Sequence, residues 1–206
     1  MNDVTRSMDA TDAAAASRTA QQRRSRPSGW WGMVGLLATE AALFGVMIAS
    51  YYYLRFQVAE WPPPGIEPPP PDGPLLLTAV LVATTVPILL GSRAARLGRP
   101  RAARNWLTGA LVVQCVYIAG QAGLFVEDYN KFSPTENAYT SIYFTLVAAH
   151  AAHVVVGMLL IAFLIVRLFS GLTNYRLTGV RVVAMYWYFV NLVAIPVVIT
   201  QIFPSL

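Results

Sequence analysis

Residues 140-166 read TSIYFTLVAAHAAHVVVGMLLIAFLIV, an apolar run without a single Asp, Glu, Lys or Arg. About 20 such residues in α-helix cross the roughly 30 Å of a bilayer's hydrocarbon, so this stretch predicts a transmembrane span. Working outward from it, four more runs are long and apolar enough, at about 29-54, 75-92, 105-126 and 182-203. The run at 75-92 is the shortest and contains Pro87, which predicts a kink. The expected fold is therefore all-α, a polytopic membrane protein built as a bundle of five transmembrane helices. Composition agrees: 56% of the 206 residues are hydrophobic and 12% charged, and the mean hydropathy is +0.51. Soluble domains carry about twice that share of charge.

The charges order the spans. Of the 15 basic residues, 13 lie before the first run (Arg6, Arg18, Arg23, Arg24, Arg26), in the second connection (Arg93, Arg96, Arg99, Arg101, Arg104) or in the fourth (Arg167, Arg176, Arg181). The first and third connections hold only Arg55 and Lys131 but collect Glu60, Glu67, Asp72, Glu127, Asp128 and Glu136. By the positive-inside rule this alternation predicts the N-terminus inside and the C-terminus outside, as an odd number of spans requires. The net charge of +5 is thereby a topology signal and does not point to nucleic acid. Residues 1-28, rich in Ala, Ser and Arg without apolar periodicity, are expected to form a disordered cytoplasmic tail, leaving 29-206 as the transmembrane domain. The first run is too long for a signal peptide, follows a polar segment and precedes no cleavage pattern. The prolines at 62-64 and 68-71 exclude regular helix and predict an extended polyproline segment along the surface.

One carboxylate falls inside a span. Glu40 lies eleven residues past Gly29, which at about 1.5 Å per residue puts it some 16 Å into the first helix, near the midplane. A buried carboxylate must be protonated or partnered, which leaves a packing role and a proton-handling role both open. The only histidines, His150 and His153, share a face of the fourth span at spacing i, i+3 and reach a similar depth. A hydrogen bond from Glu40 to one of them is expected. Two imidazoles from one turn of one helix do not suit a haem, and copper or zinc would need further ligands. Neutral imidazoles hydrogen-bonded across helices are the plainer reading. Gln114 and Gln121 on the third span, with Tyr188 and Asn191 on the fifth, are expected to act as interhelical polar contacts. Gly32, Gly35 and Ala38, and the alanines around His150 with Gly157, predict close helix approach. Trp30, Trp31, Tyr51, Tyr52, Tyr53, Trp61, Trp106 and Tyr186 read as an interfacial aromatic belt. Arg93, Arg96, Arg99, Arg101 and Arg104 are candidates for anionic lipid headgroups, beside their topological role. With a single cysteine, Cys115, no intramolecular disulfide or Cys-based cluster is possible. No phosphate-binding glycine loop or hydrolytic triad is present, and no internal repeat suggests a transporter.

Several motifs occur in order. They are Ala38-Thr39-Glu40 with Leu43-Phe44-Gly45, Tyr51-Tyr52-Tyr53-Leu54-Arg55, Trp61-Pro62-Pro63, Gly120-Gln121-Ala122, the entry from Tyr139 to Phe144, His150-Ala151-Ala152-His153-Val154 with Gly157, and Tyr186-Trp187-Tyr188-Phe189-Val190-Asn191. Together, from about Gly29 to the C-terminus, they resemble subunit III of the haem-copper respiratory oxidases in its short five-helix bacterial form. The resemblance implies an accessory subunit with no redox centre of its own, haem and copper residing in partner subunits. It implies packing on the catalytic subunit I, with subunit II in the same complex, phospholipid between helices, support of proton uptake and protection during turnover in the bacterial inner membrane. Glu40, His150 and His153 correspond to the family's buried carboxylate and His-x-x-His imidazoles. The chain departs from the pattern at Leu124, where the family has a glutamate, and at Tyr188 and Asn191, where it has His and Asp. These departures leave open a subunit-III-like partner of nitric oxide reductase, and the buried polar set leaves open a small proton-coupled carrier.

Overall fold

The computed structural model describes residues 28–67, 69–171 and 173–202. Among the described residues six helices make five spans: α1 (Ser28–Phe56), α2 (Asp72–Ala83) and α3 (Thr85–Arg96) as one interrupted span, α4 (Pro100–Lys131), α5 (Ala138–Leu168) and α6 (Asn174–Ile202). No strand occurs among the described residues. The expected tail, apart from Ser28, lies outside them.

The helices outrun the apolar segments that predict them. At about 1.5 Å per residue a helix as long as α4, with 32 residues, exceeds the hydrocarbon thickness by several turns. Its ends therefore stand at headgroup level, where charge is tolerated. Arg55, Asp72, Arg93, Arg96, Arg101, Glu127, Asp128, Lys131, Arg167 and Arg181 accordingly belong to helices, although their charge had assigned them to connections. The last helix begins at Asn174, ahead of the apolar run at 182, for the same reason.

The second span breaks at Thr84, between α2 and α3. Pro87 lacks an N–H and its ring crowds the carbonyl four residues back, that of Ala83, so the helix interrupts just there. Thr84 closes α2 by donating its backbone N–H (3.0 Å) and its hydroxyl (2.6 Å) to the Leu81 carbonyl. Helix α3 ends in a Schellman motif: Gly98, at φ +71°, donates to Ala95, and Arg99 to Ala94. Helix α5 starts with a reciprocal capping box between Asn137 and Thr140. Arg176 of α6 reaches back to the carbonyls of Ser170 and Gly171 beyond the end of α5.

The described residues of the proline segment are non-helical as expected but do not run extended throughout. Ile66 N–H donates to the Pro63 carbonyl at 3.2 Å, and Gly65 sits at φ +94°. Proline at the first central position and a positive-φ glycine at the second are what a type II turn requires.

Helix α6 lies at the centre, against α1, α2, α3 and α5, while α4 closes the other side on α2, α3 and α5. One core cluster gathers Leu81, Ile88, Leu107, Val154, Ile161, Trp187 and Val190. The other is aromatic, with Phe44, Tyr51, Phe132, Tyr139, Tyr143 and Phe144 at the end of the bundle that carries Trp61. Helix α1 is peripheral and buries only Met33, Phe44 and Tyr51. Its glycines Gly32 and Gly35 face open space, contrary to the close approach expected of them. Gly157 does allow one: a Cβ there would lie 2.7 Å from the Trp187 ring.

Candidate functional site

The site forms where α1 crosses α5. Glu40 Oε2 stands 2.9 Å from His153 Nε2, the pairing expected from their common depth. The other imidazole nitrogen settles the tautomer. His153 Nδ1 lies 2.7 Å from the Ala149 carbonyl, which can only accept, so Nδ1 carries a proton. One further proton then lies between Nε2 and Oε2, held as carboxylic acid with imidazole or as carboxylate with imidazolium. Both forms are neutral as a pair, which is how an ionisable carboxylate tolerates a membrane interior. The Phe44 ring meets His153 edge-on at 5.0 Å and His150 at 6.4 Å between ring centres.

His153 is further fixed through its backbone. Its carbonyl accepts from the Tyr186 hydroxyl at 3.0 Å, and one turn on, the Gly157 carbonyl accepts from Trp187 Nε1 at 3.1 Å. Tyr186 therefore belongs to the core beside the histidine turn, at 2% exposure, and not to an interfacial belt. Sequence periodicity alone did not single it out, because a tyrosine is equally at home in either place.

The two histidines part company. His150 is buried at 5% exposure, and neither of its ring nitrogens has a partner among the described residues, so the expected interhelical bond is absent there. Residues at i and i+3 differ by about 60° around a helix; His153 consequently meets α1 while His150 turns toward Thr78, Tyr117, Gln121 and Gln201 inside the bundle.

The other polar candidates divide similarly. Asn191 Nδ2 donates to Thr85 Oγ1 at 2.7 Å, joining α6 to the start of α3 just past the break. Gln121 accepts only from Tyr117 of its own helix, at 3.5 Å, and the fully buried Gln114 amide has no partner among the described residues, so neither bridges helices as expected. Tyr188 lines a groove of about 430 Å³ with Trp30, Ser92, Arg96 and Arg181. Of the five arginines proposed for headgroups, Arg96 faces that groove. Arg93, Arg99 and Arg101 are exposed elsewhere, and the Arg104 guanidinium lies 4.2 Å from the Phe169 ring centre. Charge reading also missed Asp128: it is buried in the last turn of α4 and accepts from the Tyr143 hydroxyl. No group of three His, Cys, Asp or Glu side chains gathers among the described residues, so Glu40 and the histidines find no further metal ligand there.

Comparison with known proteins identifies the family. The family model described as cytochrome c oxidase subunit III matches residues 21–203. A probable cytochrome c oxidase subunit 3 of Nocardia farcinica is 30% identical over 167 residues, covering 79% of this chain and 81% of the relative. The cytochrome c oxidase subunit 3 of Thermostichus vulcanus is 29% identical over 166 residues, 79% of this chain and 80% of its own. That of Coturnix japonica is 28% identical over 171 residues, 79% of this chain but 64% of the longer bird protein. With five apolar spans, a carboxylate of the first bound to a histidine of the fourth, and a family match that covers all of the described residues, the chain belongs to the cytochrome c oxidase subunit III family.

Proposed function

We propose that the chain is the accessory, non-redox subunit III of a haem-copper terminal oxidase in a bacterial inner membrane, with its N-terminus inside and C-terminus outside. It packs on the catalytic subunit I, with subunit II in the same complex, and leaves haem and copper to those partners. The observation that carries this reading is the Glu40–His153 bond inside a bundle of this family. The pair spends its polarity on fastening α1 to α5 while keeping one mobile proton. That arrangement suits a subunit that holds a surface in place and supports proton uptake during turnover. The apolar side chains of α1 that face outward, Leu36, Leu43, Val46 and Tyr53, supply surface for a neighbouring subunit or lipid. The groove lined by Arg96, Arg181 and Trp30 has the charge to hold an anionic phospholipid headgroup.

The test is to purify the tagged chain in mild detergent and record the spectrum and activity of what accompanies it. Haem-bearing partners that reduce oxygen support the reading. Nitric oxide reductase activity in that fraction moves the chain to the other complex, and a colourless chain recovered alone favours a carrier centred on Glu40.

A further inference from the structure

We propose that a water molecule bridges His150 to its polar neighbours at the middle of the bundle, and that water reaches this site from the Asp128 end. His150 is 5% exposed, and both its ring nitrogens lack partners among the described residues. A neutral imidazole carries one donor and one acceptor, and burying both unpaired is costly, so such groups in proteins almost always find water when room exists. Room exists. A cavity of about 10 Å³ is bounded by His150, Thr78, Tyr117, Gln121 and Gln201, the space that roughly one water molecule needs. Its polar lining offers the two to four partners a buried water takes: an imidazole nitrogen, the Tyr117 hydroxyl, which makes only a long 3.5 Å contact with Gln121, and the amides of Gln121 and Gln201.

A second cavity, of about 30 Å³, shares Gln121 and Gln201 with the first and continues to Tyr143, Asp128 and Glu127 in the last turn of α4. The two amides thus stand between a polar end of the bundle and its centre. The histidines of one helical turn then answer to different surroundings: His153 to Glu40, and His150 to water admitted from one face of the membrane.

The chain has only two histidines, so the full chain labelled with ¹⁵N-histidine and reconstituted in phospholipid bilayers gives two imidazole sets by solid-state NMR. Glu40→Gln identifies His153 by shifting its signals. The expected result is rapid magnetisation transfer from water to the His150 ring in the unaltered chain, lost in Ala194→Val, which adds bulk to the cavity wall, while the His153 signals persist. Absence of that transfer in the unaltered chain overturns the site, whether or not the variant folds. For the route, Gln121→Leu is expected to slow deuterium exchange at the His150 ring; exchange as fast as in the unaltered chain overturns entry past the two amides.

Discussion

Glu40 and His153 stand 113 positions apart in the chain, and a 2.9 Å hydrogen bond between their side chains fastens α1 to α5. Because α1 buries only Met33, Phe44 and Tyr51, this bond is a polar tie that adds to its thin packing, and Trp61 of the following connection donates its Nε1–H to the Tyr51 hydroxyl (3.0 Å).

Glu40→Ala is expected to weaken the fold by about 1 kcal/mol, the usual worth of a hydrogen bond in a membrane interior. Glu40→Gln retains a donor for Nε2 and keeps most of that stability while removing the shared proton. Unfolding in a denaturing-detergent titration measures the first effect. The rate of inactivation during turnover of the parent oxidase separates the second: a Gln variant that is stable yet inactivates early identifies the proton as functional.

Gly157→Ala is expected to destabilise the chain by about 1–3 kcal/mol through overpacking. The added methyl would stand 2.7 Å from a Trp187 ring that is fully buried and cannot swing aside. Trp187→Leu in the same chain should recover part of the loss, read in the same detergent titration. Equal stability of Gly157→Ala and the parent would rule this contact out as a constraint.

The Asn191–Thr85 bond is a pair suited to a double-mutant cycle. Asn191→Ala and Thr85→Ala should each destabilise, with a coupling of about 0.6–1.7 kcal/mol for a membrane hydrogen bond. Additive losses would mean that the 2.7 Å contact does not hold in the bilayer.

Tyr143→Phe leaves the buried Asp128 carboxyl without the hydroxyl that donates to it. The expected cost is about 1–3 kcal/mol, that of an unsatisfied buried group, and Asp128→Asn combined with Tyr143→Phe should cost less than Tyr143→Phe alone. Comparing thermal inactivation of the three variants decides it.

Arg96→Gln with Arg181→Gln removes both guanidinium groups lining the groove beside Tyr188. Native mass spectrometry of the purified chain should then show loss of co-purifying anionic phospholipid with neutral lipid retained. Unchanged lipid content would assign these arginines to membrane topology alone.

The spans were legible because hydrocarbon thickness dictates their length, and a charge that interrupts an apolar run needs a partner inside a bilayer, as Glu40 has in His153. The helix ends were not, because headgroup-level turns accept charge; Asp128 reads as an outside residue, yet α4 runs on past it and Tyr143 lies across it. The depth match of Glu40 and the histidines was readable from residue counting. Which histidine Glu40 meets was not, since that depends on the rotation of α5 against α1, and rotation is set by side-chain packing such as Phe44 between the rings. The glutamines show the reverse case: their type suggested bridges, whereas Gln121 bonds within its own helix, and nothing in the structure explains the unpaired Gln114 amide.

The carbonyls of Ala149, His153 and Gly157 stand one above another on α5, and each accepts a side-chain hydrogen bond: from the imidazole of His153, the Tyr186 hydroxyl and the Trp187 indole. Two of these donors are neighbours on α6. Sliding α6 by one turn, about 5.4 Å, would unseat both donors together and drive the indole from its notch at Gly157. The last two spans are thereby keyed to a single vertical setting. They act as a pre-matched hairpin, a platform against which the loosely buried α1 is set at one height, so that Glu40 arrives level with its histidine.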